Sequence, residues 1–140
     1  MSAVRRAGVV GCGLMGAGVA EVCARADLDV LVLAPSAESA GRGRARVTES
    51  LDRLLRKGKL TEQERDRALG HVAFTTDITA LADRDFVLEA IAESAADKAE
   101  LFKRLDEVVI DPAAVLASTT SSVSISALAA ATTDPGRVVG

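Results

Sequence analysis

Aromatic residues are almost missing from this chain. It has no tryptophan and no tyrosine, and its three phenylalanines are Phe74, Phe86 and Phe102. Without aromatic faces, a stacking platform for single-stranded nucleic acid is excluded. Positive charge is not in excess either. Seventeen Lys and Arg stand against 20 Asp and Glu, a net charge of −3, so the basic footprint of a nucleic-acid partner is absent. The one histidine, His71, rules out a His-rich metal site, and no metal is expected. Two cysteines, Cys12 and Cys23, are too few for a disulfide framework and fit free thiols in a reducing cytoplasm. No run approaches the ~18 uninterrupted apolar residues of a membrane helix, which predicts no membrane partner. Arg5 and Arg6 precede an apolar stretch, but Ala7–Val10 falls short of the ~7–15-residue apolar core of a signal peptide.

What remains is an aliphatic globular chain. Its 140 residues are 49% hydrophobic and 26% charged, which suits one domain spanning 1–140 and excludes intrinsic disorder. Short β-branched runs alternate with helical patterns. Strands are predicted at Ala7–Val10, Val30–Ala34, Val72–Thr75, Phe86–Ala92, Val115–Ser118 and from Arg137. The first helix, from Leu14 to Ala26, is expected to bury Met15, Val19, Val22, Cys23 and Ala26. Ser36 can cap a second, running to about Lys57 with Val47, Leu51, Leu54 and Leu55 on its apolar face, and Gly58 can stop it. Thr61-Glu62-Gln63-Glu64 fits a capping box. A helix from Ala95 to Val109 presents Phe102, Leu105 and Val109, and Asp111-Pro112 breaks it. A short helix spans Ser124 to Ala131. Strands alternating with helices imply an α/β fold, a Rossmann-like doubly wound parallel sheet with a helical hairpin between strands 2 and 3. The chain stops inside an apolar strand, so it is expected to be a truncated domain.

Three stretches carry chemistry. Gly11-Cys12-Gly13-Leu14-Met15-Gly16 is G-x-G-x-x-G directly after a strand and opening a helix. That is the context in which the pattern binds a dinucleotide. Gly11 allows the tight turn, Gly13 lets a pyrophosphate approach the backbone, and Gly16 lets helix and strand pack closely. The helix N-terminus offers N–H groups and a positive dipole end. The ribose-binding acid usual for NAD, about 20 residues on at the end of the second strand, is replaced by Ala34. Ser36 with Arg42 or Arg44 can hold a 2′-phosphate, which leaves NADP open beside NAD. Glu38 can supply the ribose contact instead.

The second stretch is Leu88-Glu89-Ala90-Ile91-Ala92-Glu93, at the carboxyl edge where doubly wound sheets bind ligands. Glu89 inside an apolar strand is costly to bury without a partner. Glu93 can cap the following helix, with Lys98 on its surface, or both can face a ligand. The third is Ser118-Thr119-Thr120-Ser121-Ser122, five hydroxyls that can bind substrate or cofactor oxygen or cap the helix from Ser124. No G-x-S-x-G elbow exists, and nothing marks a nucleophilic serine.

Together these stretches resemble the N-terminal NAD-binding domain of the 3-hydroxyacyl-CoA dehydrogenase family, including 3-hydroxybutyryl-CoA dehydrogenases. The resemblance covers essentially the whole chain. It rests on residues 8–20 around the glycine motif, on Glu89-Ala90-Ile91-Ala92-Glu93, on Glu100-Leu101-Phe102-Lys103-Arg104-Leu105-Asp106 and on Ala117 to Ser122. It implies hydride transfer between NAD and C3 of a 3-hydroxyacyl-CoA. By position, Gly11, Gly13, Leu14, Met15 and Gly16 would hold the pyrophosphate. Ala90, Ile91, Glu93 and Lys98 would lie along the cofactor, and Ser121 would hydrogen-bond the substrate's C3 oxygen as the catalytic residue. The hairpin from Arg42 to Leu69 looks like the family's coenzyme A-receiving excursion.

Three departures accompany the resemblance. Ala34 stands at the ribose position, and Thr119 stands where the family has an asparagine contacting cofactor and substrate. The family's catalytic histidine, its glutamate partner and the C-terminal helical domain that forms the homodimer belong beyond Gly140. His71, before the third strand, is not that histidine. Turnover therefore needs a base that these residues lack. The alternatives are a non-catalytic dinucleotide-binding module and a relative acting on carrier-protein-bound hydroxyacyl groups.

Overall fold

The short β-branched runs form strands that all point the same way. In the computed structural model, which describes residues 3–140, they make one six-stranded sheet; residues 1 and 2 of the expected domain lie outside the described residues. The strands are β1 (Arg6–Val10), β2 (Asp29–Leu33), β3 (Val72–Thr75), β4 (Phe86–Glu89), β5 (Val115–Ser118) and β6 (Val138–Val139). Their order is β3-β2-β1-β4-β5-β6 and every pairing is parallel. This is the doubly wound order, with the reversal between β1 and β4. Val10 stands opposite Leu33 on one side and Glu89 on the other, so three strands finish side by side at that reversal.

Parallel neighbours need crossovers, and the helices supply them. They are α1 (Leu14–Arg25), α2 (Ala37–Arg56), α3 (Glu62–Gly70), α4 (Ala95–Val108) and α5 (Ile125–Ala130). α2 and α3 form the expected hairpin between β2 and β3. Their local signals act as predicted. Ser36 Oγ accepts from the Ser39 amide, Gly58 adopts φ +72 beyond α2, and Thr61 with Glu64 completes a capping box. Alternate strand residues serve two cores, one per face of the sheet. Val9, Val30 and Val32 pack with Val47 and Leu51 of α2. Val10, Val87 and Leu116 pack with Phe102, Leu105 and Leu128 on the other face.

Two expectations are corrected. The fourth strand ends at Glu89 rather than Ala92. The Glu89 carboxylate turns back to accept the Ile91 amide at 2.8 Å, and the chain leaves the sheet. The buried face of α1 is also different. Gly16, Ala17, Ala20 and Ala24 face the sheet, while Met15, Val22 and Ala26 are exposed and Val19 and Cys23 are half-buried. Small residues let the helix lie close to β1, and no room is left there for larger side chains. A 3-10 turn, Ile78–Leu81, was not predicted; it adds Ile78 and Leu81 to the second core.

Candidate functional site

The glycine motif is a loop whose shape allows no other residue at two of its three positions. Gly11 has φ +106, and a Cβ there would lie 2.6 Å from the Ala90 carbonyl oxygen. A Cβ on Gly16 would lie 2.1 Å from the Gly11 carbonyl oxygen. Gly13 differs: a Cβ on it would meet nothing within 4 Å. So Gly11 and Gly16 close the loop, and Gly13 faces open space.

α1 begins on that open side. Its N-cap is Gly13, without a capping side chain, and its first turn holds no acid. The other four helices each carry a Ser or Thr cap whose oxygen accepts a backbone N–H, at Ser36, Thr61, Ser94 and Ser124. The first-turn N–H groups of α1 and its positive dipole end are thus left for an anion. Leu14 and Met15 flank them, 84% and 59% exposed. This cradle fits a dinucleotide pyrophosphate.

Beside the loop lies a cavity of about 300 Å³ lined by Gly11, Leu33, Ala34, Ile78, Ile91 and Arg104, among others. It sits at the ends of β1, β2 and β4, so the topology brings Gly11, Ala34 and Ile91 together from distant sequence. Ala34 is buried, with its amide donating to the Thr75 carbonyl at 2.8 Å. Of the arginines considered for a 2′-phosphate, Arg42 pairs with Glu38 and donates to Ser39 Oγ, and Arg44 lies over the Phe74 ring at 4.9 Å. Arg104 also lines the cavity; in the sequence it belongs to the stretch Glu100 to Asp106 that carries the resemblance, with no role assigned to it.

The ends of β4 and β5 are built differently. Glu89 and Lys98 are both fully buried, with Lys98 Nζ 2.5 Å from Glu89 Oε2. Glu89 also accepts from Ser118 Oγ at 2.5 Å and from the Ile91 amide. The cost of burying this carboxylate is met by three donors. Lys98 reaches on to Glu93 at 3.0 Å, and Glu93 further accepts from Ser122 Oγ and Thr120 Oγ1. The Ser122 hydroxyl, then Lys98, then the Thr120 hydroxyl pull the Glu93 carboxyl down to about 2. Burial opposes the charge on Lys98, but its bonds to Glu89 and Glu93 outweigh that and hold the ammonium above its ordinary value. Lys98 is therefore no surface residue, and Ser94, not Glu93, caps α4.

Thr120 and Ser122, both tied to Glu93, flank Ser121, which is exposed. The Thr119 amide continues the sheet by donating to the Glu89 carbonyl. His71 caps the C-terminus of α3 and lies 3.4 Å from Asp27, at the opposite, amino edge of the sheet. The hub role of Glu89 was only half visible in sequence, as a charge in an apolar strand. Its partner Lys98 is nine residues away and Ser118 is on another strand.

The chain matches the family model described as the 3-hydroxyacyl-CoA dehydrogenase NAD-binding domain over residues 6–140. A 3-hydroxybutyryl-CoA dehydrogenase of Mycobacterium tuberculosis is 54% identical over 138 residues, 99% of this chain and 48% of that protein. A probable 3-hydroxybutyryl-CoA dehydrogenase of Deinococcus radiodurans is 44% identical, over 95% of this chain and 47% of that one. The crystal structure of M. tuberculosis FadB2 superposes with a TM-score of 0.96 at 53% identity, covering 98% of this chain and 48% of its own. The chain spans about half the length of the curated relatives it matches. Among the described residues, no helix is long and apolar enough to cross a membrane.

Proposed function

The chain belongs to the 3-hydroxyacyl-CoA dehydrogenase family as its NAD-binding domain, and from that premise we propose that it holds NAD for hydride transfer at C3 of a 3-hydroxyacyl-CoA such as 3-hydroxybutyryl-CoA. The observation that carries this reading is the open Gly13 at an uncapped helix start, beside a cavity lined by Gly11, Ala34 and Ile91. When bound, NAD supplies the hydride chemistry; the protein binds and orients.

The residues divide the work. Gly11, Gly13, Leu14, Met15 and Gly16 cradle the pyrophosphate. Ala90 and Ile91 form the wall between loop and cavity, with Ala34 opposite at the ribose position. Glu93 and Lys98 fix the hydroxyl loop, which carries Thr119 toward cofactor and Ser121 toward the substrate's C3 oxygen. NAD is preferred to NADP. Arg42 is engaged with Glu38 and Ser39 and Arg44 with the Phe74 ring, so holding a 2′-phosphate would mean giving up one of these contacts.

These 140 residues do not complete the acid–base step. His71 lies at the wrong edge of the sheet, and a carboxylate held near pKa 2 is too weak a base at neutral pH for Glu93 to replace it. The missing base, the acyl-CoA partner's full pocket and homodimerisation through a C-terminal helical domain belong to the same proposal. Free thiols at Cys12 and Cys23 suit a cytoplasmic setting. Calorimetric titration with NADH and NADPH tests the reading. NADH binding is expected, with no oxidation of 3-hydroxybutyryl-CoA by residues 1–140 alone. Turnover by that segment, abolished by Glu93→Gln, would place the base inside it.

A further inference from the structure

We propose that Arg46 is a positioning residue for the dinucleotide: from α2 it fixes the Cys12 carbonyl and thereby aims the Gly13 amide at the pyrophosphate. The inference rests on the NAD-binding reading and adds a residue outside the glycine motif.

Cys12, the second residue of that motif, is gripped by one face of α2. Its thiol donates to the Ser39 carbonyl at 3.2 Å. Gly43 lies so close that a Cβ on it would come within 2.7 Å of Cys12 Cβ. Arg46 Nη1 donates to the Cys12 carbonyl oxygen at 2.9 Å. Residues 39, 43 and 46 are four and three apart, a single helical stripe.

The third contact bears on the ligand. In a planar trans peptide, the C=O and the following N–H point in opposite directions. With the Cys12 carbonyl held toward α2 by Arg46, the Gly13 N–H points away from α2. Among the described residues that N–H has no partner. Without Arg46, the Cys12–Gly13 peptide can rotate at lower cost about ψ of Cys12 and φ of Gly13, because Gly13 tolerates unusual dihedrals.

Arg46 also brings charge. Arg42 and Arg53, its neighbours along the helix, pair with Glu38 and Glu49. Arg46 makes no ion pair among the described residues, and it is half-buried, so its field is less screened than that of an exposed arginine. It stands behind the uncapped start of α1, adding to the positive end of that helix. The helix hairpin inserted between β2 and β3 thus reaches into the cofactor loop.

The test compares ligands with and without a pyrophosphate, by calorimetric titration of the intact protein. Arg46→Met keeps the methylene stem and removes donor and charge. It is expected to weaken NADH and ADP-ribose by about tenfold, the scale of one charge-assisted hydrogen bond, and to leave adenosine unchanged. The melting temperature should shift by no more than a few degrees, and the Gly13 amide resonance should move in the unliganded variant. Arg46→Lys should restore most of the affinity. NADH affinity within about twofold of the unaltered protein would overturn the proposal. So would equal losses for NADH and adenosine, or a Lys variant no better than Met. No binding of NADH by the unaltered protein would instead remove the NAD reading itself, and the proposal with it.

Discussion

At the carboxyl end of β1 the chain leaves its polar groups open, and at the carboxyl ends of β4 and β5 it closes them on one another. The first region has an uncapped helix, an exposed glycine and two exposed apolar side chains, Leu14 and Met15. The second has two carboxylates, one ammonium and three hydroxyls, each with a partner. An open region gains its missing partners from a ligand, so changes there should cost affinity and little stability. A closed region is already satisfied, so changes there should cost stability first. Two sites on adjoining strand ends of one sheet are thereby assigned different kinds of failure.

The largest expected effect comes from breaking the closed region at its centre. Lys98→Met leaves Glu89 buried without its counter-ion. Losing one partner of a buried pair costs about 3 kcal/mol or more. Urea denaturation should show that loss with the slope unchanged. A loss below about 1 kcal/mol would mean that water reaches Glu89 and that the region is not closed.

The open region should respond in the opposite way to Gly13→Asp. Nothing lies within 4 Å of the new Cβ, so stability should change by no more than about 0.5 kcal/mol. The carboxylate would fill and repel the pyrophosphate position, and NADH affinity should fall by about a hundredfold or more, roughly 2.7 kcal/mol. Unchanged titration curves would show that the glycines serve only the turn.

The contrast also explains what was legible before the structure. The Ser36 cap, the Thr61–Glu64 box and the Gly58 stop are local, with each partner within a few residues, and the glycine motif is contiguous, so sequence displays them, although the Ala90 carbonyl that excludes a Cβ at Gly11 is distant. The parallel direction of the strands follows from the alternation of strands and helices, but their order, β3-β2-β1-β4-β5-β6, comes from the structure. The helical period of α1 accommodates either the large residues or the small ones on its buried face. Only the closeness of α1 to β1 decides for Gly16, Ala17, Ala20 and Ala24. The closed region was half visible, as a charge at Glu89 in an apolar strand; its pairing was not, because Glu89, Lys98 and Ser118 come from three elements. The grip of α2 on Cys12 spans 27 to 34 residues and has no local mark.

A smaller effect should sharpen the open side. Ala34→Asp places a carboxylate at the ribose end of the cavity that Ala34 lines. Bonds to ribose hydroxyls should tighten NADH by about tenfold, and repulsion of a 2′-phosphate should weaken NADPH. Competitive titration of the two nucleotides measures the ratio. An unaltered protein that already favours NADPH would reverse the assignment.

The smallest effect concerns the rim between the regions. Glu93 is 43% exposed, so its bonds to Ser122, Lys98 and Thr120 are partly screened by water. Its carboxyl is nevertheless drawn from 4.5 to about 2. A folded-state value below the unfolded one means that the group stabilises the fold where it is ionised in both states, above about 4.5. That contribution is lost as pH falls from about 4.5 through 2, because the unfolded chain binds the proton first. Glu93→Gln removes the titration. Its stability curve should be flatter than that of the unaltered protein below pH ~4.5, with the two running parallel at neutral pH. The amide can still accept a hydroxyl but holds Lys98 less strongly, so a small constant offset is expected. Parallel curves throughout the acid range would show that Glu93 titrates as an ordinary surface carboxylate. The hydroxyl loop would then be held by Glu89 and Ser118 alone.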